Sequence, residues 1–154
     1  MNKIRMIALA ACMAATLDAS AQEQEIRLFS HRGGRMEHDE NTLSAFQASY
    51  DAGYRGFETD IRMTRDGALV ITHDSSLERT TDGTGTVEEK TEAEIRQLAT
   101  KQGNKMMFLD ELLEFLKGKE GLYVEFEMKT KPVELYPEER LHACLLYTSD
   151  AADE

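Results

Sequence analysis

Four short segments of this 154-residue chain gather the residue types that bind cations, move protons and hold anions. They are His31-Arg32-Gly33, Glu58-Thr59-Asp60, His73-Asp74 and Glu127-Met128-Lys129. Glu58 and Asp60 are spaced i, i+2, which in a strand puts both carboxylates on one face. Two anions held together repel unless a cation sits between them, and oxygen-only ligands select a hard ion, Ca²⁺ or Mg²⁺. A lone Glu-x-Asp is more often a solvated strand edge, so the spacing has to be weighed with its neighbours. His31 and His73 each close a strand-like run and are each followed by a charged residue. Imidazole titrates near neutrality, so one can donate a proton while the other accepts. Glu125, Glu127 and Lys129 share a face of the last strand, which is costly in a core unless they serve a site. Arg32 and Lys129 supply cations for phosphate oxygens. The inventory suits metal-assisted hydrolysis of a phosphodiester. His38 and His142 have no comparable placement and read as surface residues.

The elements that must position these groups alternate. Glu25 to Ser30 reads as a strand running into His31. Asn41 or Thr42 caps a helix through Ala52, with Leu43, Phe46 and Tyr50 as its apolar stripe and Gly53 as its stop. Arg55 to Met63 and Ala68 to Thr72 are strands joined at Asp66-Gly67. Ser75 to Glu89 is loop. Thr91 and Glu94 form a capping-box pattern before a helix around Ile95 and Leu98. Leu109 to Lys117 is an amphipathic helix stopped by Gly118, and Leu122 to Lys129 is a strand. A further helix starts at Pro137. The order favours a parallel α/β architecture.

Composition narrows the partners. The formal charge is -11, with no basic run, which argues against non-specific nucleic-acid binding. Residues 1–21 read as an export signal. Lys3 and Arg5 form the positive region, Met6 to Leu17 the apolar stretch, and Ala19-Ser20-Ala21 the cleavage site. That stretch is too short for a membrane span. The chain is therefore expected to be exported, periplasmic or secreted. Leu9-Ala10-Ala11-Cys12 also fits a lipobox that would acylate Cys12, a reading weakened by the few apolar residues before it. Cys144 to Glu154 resembles translated sequencing-adapter DNA, so residues 144–154 are set apart as an artefact tail. Residues 22–143 then form the domain, without cysteine, and the gene is expected to continue past Ala143.

Taken in order, the segments resemble the glycerophosphodiester phosphodiesterase family. Besides the four already named, the matching pieces are Glu40-Asn41-Thr42 with Ala45-Phe46, Ala52-Gly53, and Thr64-Arg65-Asp66-Gly67. Leu77-Glu78-Arg79-Thr80-Thr81 and Gly83-Thr84-Gly85 complete the set. The resemblance spans about Ile26 to Lys129. It implies a (β/α)₈ TIM barrel with its site at the C-terminal ends of the strands. It implies Glu58, Asp60 and Glu127 as ligands of one divalent cation. His31 and His73 become the acid/base pair, and Arg32 and Lys129 the phosphate contacts. The substrate is a small glycerophosphodiester, cleaved to glycerol 3-phosphate and an alcohol. Which histidine is acid, which metal is used and the oligomeric state are left open. Two departures stand out: Asp39 replaces the family's usual proline, and Glu125 stands where asparagine is frequent.

A barrel of this type takes about 250 residues. This chain reaches about the fourth strand, which leaves an open sheet edge, so the fragment is expected to be poorly active. Two other readings compete. One is a phospholipase D-like or lyase relative on the same barrel; the Leu77 to Gly85 segment argues against it. The other is a non-catalytic metal-binding fragment, which metal titration without turnover would favour.

Overall fold

The structure is a computed structural model, described here for residues 27–129. The chain forms β1 (Phe29–His31), α1 (Leu43–Asp51), β2 (Gly56–Met63), β3 (Leu69–Ile71), α2 (Glu92–Ile95), α3 (Leu109–Leu116) and β4 (Tyr123–Met128), with a 3₁₀ turn at Val87–Glu89. β2 is central. β1 pairs with it in parallel, Phe29 opposite Gly56 and His31 opposite Glu58. β4 also pairs with it in parallel, Glu58 opposite Glu125 and Asp60 opposite Glu127.

β3 departs from the all-parallel expectation, because it runs antiparallel to β2, with Ile61 opposite Ile71 and Met63 opposite Leu69. The reason is chain length. Only a short turn through Gly67 (φ +98°) joins the two strands, whereas a parallel crossover needs about a dozen residues. β2 thus runs beyond its parallel partners, and β3 folds back to the level of Asp60, where the Thr72 N–H donates to the Asp60 carbonyl at 2.9 Å.

Alternation along the strands divides two faces. Phe57, Ile61, Val124, Phe126 and Met128 pack toward the helices with Phe46, Met107, Leu109, Leu112 and Phe115. Fully burying one such side chain stabilises by about 2 kcal/mol. The opposite face carries His31, Glu58, Asp60, Glu125 and Glu127, so a single register sends the apolar residues to the core and the charged ones to one surface. A second core of Val70, Leu77, Val87, Ile95, Met106 and Phe108 lies under the segment between β3 and α3.

The helix signals act locally. The Thr42 hydroxyl accepts from the Ala45 N–H and starts α1, and Gly53 (φ +94°) follows its end. Thr91 and Glu94 form the capping box of α2, which is a single turn, with Leu98 packed beyond its end. α3 buries Leu109, Leu112 and Phe115. Among the described residues the first strand begins at Phe29, with Arg27 and Leu28 before it and Glu25 outside the described residues, and the 3₁₀ turn lies in what reads as loop. Residues 1–21, the helix from Pro137, His142 and the tail 144–154 lie outside the described residues. No helix among the described residues is long and apolar enough to cross a membrane.

Candidate active site

The site forms where β1 and β4 end against the middle of β2. Glu58 and Asp60 project from β2, and Glu127 stands beside Asp60 on β4. One oxygen from each lies within 4.8 Å of the others. Asp60 is fully buried, whereas the Glu127 side chain is 57% exposed. Burial, reinforced by the neighbouring Asp60 charge, pushes the Glu58 carboxyl up from its ordinary value. Asp60 Oδ1 is buried and accepts no hydrogen bond. A crowded all-oxygen set with a buried carboxylate oxygen that accepts no hydrogen bond fits a hard divalent cation.

Lys129 lies just past β4. Its Nζ is 2.6 Å from Glu127 Oε1 and 3.3 Å from Asp60 Oδ1. The longer contact is an ion pair lacking hydrogen-bond alignment. Burial works against the charge on Lys129, but Glu127 and Asp60 outweigh it and raise its pKa. The Lys129 ammonium in turn holds Glu127 below the usual carboxylate range, with weaker help from His73 and Arg32.

Arg32 enters the site by a turn. It has φ +55°, uncommon for a non-glycine residue, and Gly33 follows at φ +74°. A Cβ on Gly33 would come within 3.0 Å of Ala45 Cβ, so glycine serves both the turn and the close approach to α1. The Arg32 N–H donates to the Glu58 carbonyl at 3.0 Å and also faces Glu58 Oε2 at 3.2 Å. The buried guanidinium lies between Glu40 (3.2 Å) and Asp60 (3.1 Å).

The histidines flank this cluster unequally. His31 is half-exposed, with Nε2 3.5 Å from Glu58 Oε2. His73 donates from Nδ1 to Asp74 Oδ1 at 2.7 Å, as a charged carboxylate partner requires. It lies just past the returning strand β3 instead of a parallel barrel strand, so its placement depends on the β2–β3 hairpin.

The structure thus brings all seven predicted site residues together. It adds Asn41, Glu40, Asp74 and Arg79. Asn41 (φ +59°) donates from Nδ2 to Asp60 Oδ2 at 3.0 Å and accepts from the Thr59 hydroxyl at 3.2 Å. Arg79 donates to both oxygens of Glu40, at 3.0 and 2.7 Å, and to Asp74 Oδ2. The Glu40-Asn41-Thr42 and Leu77 to Thr81 pieces were the available signal, but a sequence does not say which side chains of a loop turn inward. His38 is half-buried and plays no part in the cluster. Glu125 is exposed beside Glu58 and outside the three-carboxylate group.

The model of the glycerophosphoryl diester phosphodiesterase family matches residues 31–153. The chain belongs to that family. The matched range contains all seven site residues and runs into the tail beyond Ala143. A glycerophosphodiester phosphodiesterase of Caldanaerobacter subterraneus is 37% identical over 123 residues, covering 74% of this chain and 50% of the relative. Human glycerophosphodiester phosphodiesterase 1 is 44% identical over 73 residues, covering 47% of this chain and 22% of the relative. The chain thus spans half or less of the length of these relatives.

Among solved structures, a phosphodiesterase of Oleispira antarctica in complex with the product sn-glycerol-3-phosphate superposes with a TM-score of 0.68 at 30% identity. That match covers 79% of this chain and 51% of the other. A glycerophosphodiester phosphodiesterase from Agrobacterium tumefaciens gives a TM-score of 0.64 at 31% identity, covering 80% of this chain and 53% of the other. These family members are TIM-barrel enzymes, and β1, β2 and β4 with their helices are one arc of that barrel.

Proposed function

We propose that the protein carrying this chain hydrolyses small glycerophosphodiesters to glycerol 3-phosphate and an alcohol, with the site described above as its catalytic centre. The observation that carries the reading is the convergence of Glu58, Asp60 and Glu127, with a buried Asp60 oxygen that accepts no hydrogen bond, beside two histidines and two cations. Family membership and the product-bound relative support the substrate class.

Glu58, Asp60 and Glu127 would hold one divalent cation, Ca²⁺ or Mg²⁺, which when bound neutralises charge building on the phosphate oxygens. Lys129 and Arg32 orient the phosphate from either side of Asp60. Because Nδ1 of His73 is committed to Asp74, its Nε2 is the nitrogen available for proton transfer. His31, half-exposed beside Glu58, is the second proton carrier. One histidine takes a proton from the attacking water as its oxygen bonds phosphorus, and the other protonates the alkoxide released as the P–O bond to the alcohol breaks.

Residues 1–21 fit an export leader, and the periplasm or the medium is the proposed compartment. Glycerophosphodiesters are small enough to reach the enzyme there. The site-bearing face of this arc is open, with Tyr123 47% exposed and Glu127 57% exposed, so the 154-residue chain alone is expected to turn over poorly.

The test is release of glycerol 3-phosphate from glycerophosphocholine and glycerophosphoethanolamine, with and without EDTA. It uses the product of the complete gene lacking residues 1–21, alongside the 154-residue chain. Release that needs Mg²⁺ or Ca²⁺ and is lost in His31→Ala supports the reading. A folded complete protein that releases nothing from any glycerophosphodiester would move the assignment to lyase-type or non-catalytic metal binding.

A further inference from the structure

The segment between β3 and α2 holds a residue that none of the roles above absorbs. Arg79 lies on a loop closed on itself. The Leu77 N–H donates to the Gly85 carbonyl at 3.0 Å, and the Thr81 hydroxyl donates to the Leu77 carbonyl at 2.7 Å. The Leu77 side chain is sunk in the second core, at 1% exposure. The loop is also tied to β2, because Glu88 accepts from Arg62 and from the Ser75 hydroxyl, each at 2.6 Å, while Arg62 Nε donates to the His73 carbonyl at 2.8 Å. Arg79 is therefore offered from a fixed backbone.

Its guanidinium spends its donors on two carboxylates. One fork takes both oxygens of Glu40, whose Oε1 also accepts from Arg32. Nε takes Asp74 Oδ2, leaving Oδ1 to His73. A planar guanidinium can hold two carboxylates in fixed relative positions, which an ammonium cannot. We infer that Arg79 is a positioning residue that locks the Asp74–His73 pair and the Glu40–Arg32 pair into one unit, fixing His73 as its Nδ1–H tautomer with Nε2 free. The inference rests on the proposed hydrolytic reading for its purpose, although not for its geometry. Arg79 touches neither a substrate atom nor a carboxylate of the metal cluster in this arrangement. It acts through Asp74 on one side and Glu40 on the other.

The tautomer can be read without turnover. Long-range ¹H–¹⁵N correlation spectra of the 154-residue chain, taken above the histidine titration range, report which ring nitrogen of His73 carries the proton. Wild type is expected to show Nδ1–H. Arg79→Ala should give averaged nitrogen shifts from mixed tautomers. Arg79→Lys, which keeps the charge and lacks the fork, should fail to restore the single form. Glu40→Gln keeps the Asp74 branch and should leave His73 unchanged. The Arg79 side chain is 48% exposed, so both variants are expected to keep the wild-type amide spectrum. In the complete protein, Arg79→Ala should lower kcat by about 10- to 100-fold with KM within about twofold, the scale of losing a partner that orients a functional side chain. An unchanged His73 tautomer in folded Arg79→Ala, or full rescue by lysine, would overturn the inference. A wild-type protein with no hydrolysis but with the expected tautomer change would remove the proposed function and leave the Arg79 clamp standing.

Discussion

Lys129 Nζ stands 3.3 Å from Asp60 Oδ1, a fully buried carboxylate oxygen that accepts no hydrogen bond. The lysine therefore shares its space with any cation held by the three carboxylates. Two positive charges a few ångströms apart, partly shielded from water, repel strongly. Replacing Lys129 with methionine should tighten Ca²⁺ binding by about tenfold, a change of about 1.4 kcal/mol. The same variant should weaken inorganic phosphate binding. Calorimetric titrations of both ligands check the opposed signs, and a loss of Ca²⁺ affinity would contradict this account of Lys129.

Glu58 predicts a trade between stability and function. Its carboxyl is pushed up by burial and by Asp60, so ionisation costs the folded state more than the unfolded one. Its contribution is most favourable below the unfolded value and is lost as pH rises through the raised folded value. Glu58→Gln is therefore expected to raise Tm at neutral pH, by a margin that shrinks as the solution is acidified, while it weakens divalent-cation binding. Thermal unfolding across pH tests this, and a lower Tm at neutral pH would count against it.

Asp74 carries the opposite sign. The Arg79 bond, with help from His73, outweighs partial burial and holds its pKa at about 2, down from 3.8. Its stabilisation is present above the unfolded value and is lost as pH falls from about 3.8 toward 2. After allowance for solvent screening, Asp74→Asn should cost about 1 kcal/mol at neutral pH and almost nothing near pH 2. Urea unfolding at the two pH values measures the difference.

In the resemblance drawn from the sequence, Asp39 stands where the family usually has proline. The structure shows what the aspartate does instead: Oδ2 accepts from the Thr100 hydroxyl and from Asn104 Nδ2, the latter at 2.9 Å. The loop that carries Glu40 and Asn41 is pinned by hydrogen bonds to the turn at residues 100–104. Asp39→Ala leaves two buried or half-buried donors without a partner, and a loss of about 1–2 kcal/mol in unfolding free energy is expected. An unchanged unfolding midpoint would show that the pin carries no weight.

The gathering of the seven central residues was legible because each signal is local. Strand alternation gave the shared face of Glu58 and Asp60, and the ordered motifs gave the rest. The cap at Thr91 read correctly for the same reason, and of the two candidates Asn41 and Thr42 the structure takes Thr42. What the sequence concealed is non-local. The antiparallel return of β3 was implied by its short connection, yet its apolar run looked like any buried strand. The Arg79 bridge spans 39 residues to Glu40, and no spacing rule reaches that far. Asn41 looked like a helix cap, and only the left-handed backbone at that position turns its amide onto Asp60.

The most direct test of the central claim is a calorimetric titration of Ca²⁺ and of Mg²⁺ into the chain from Gln22 onward, beside its Asp60→Asn variant. One equivalent of at least one cation should bind to the wild type and none to the variant, with both giving the same backbone amide spectrum. A folded wild type that binds neither ion, or binding that survives Asp60→Asn, would contradict the assignment of Glu58, Asp60 and Glu127 as a cation site.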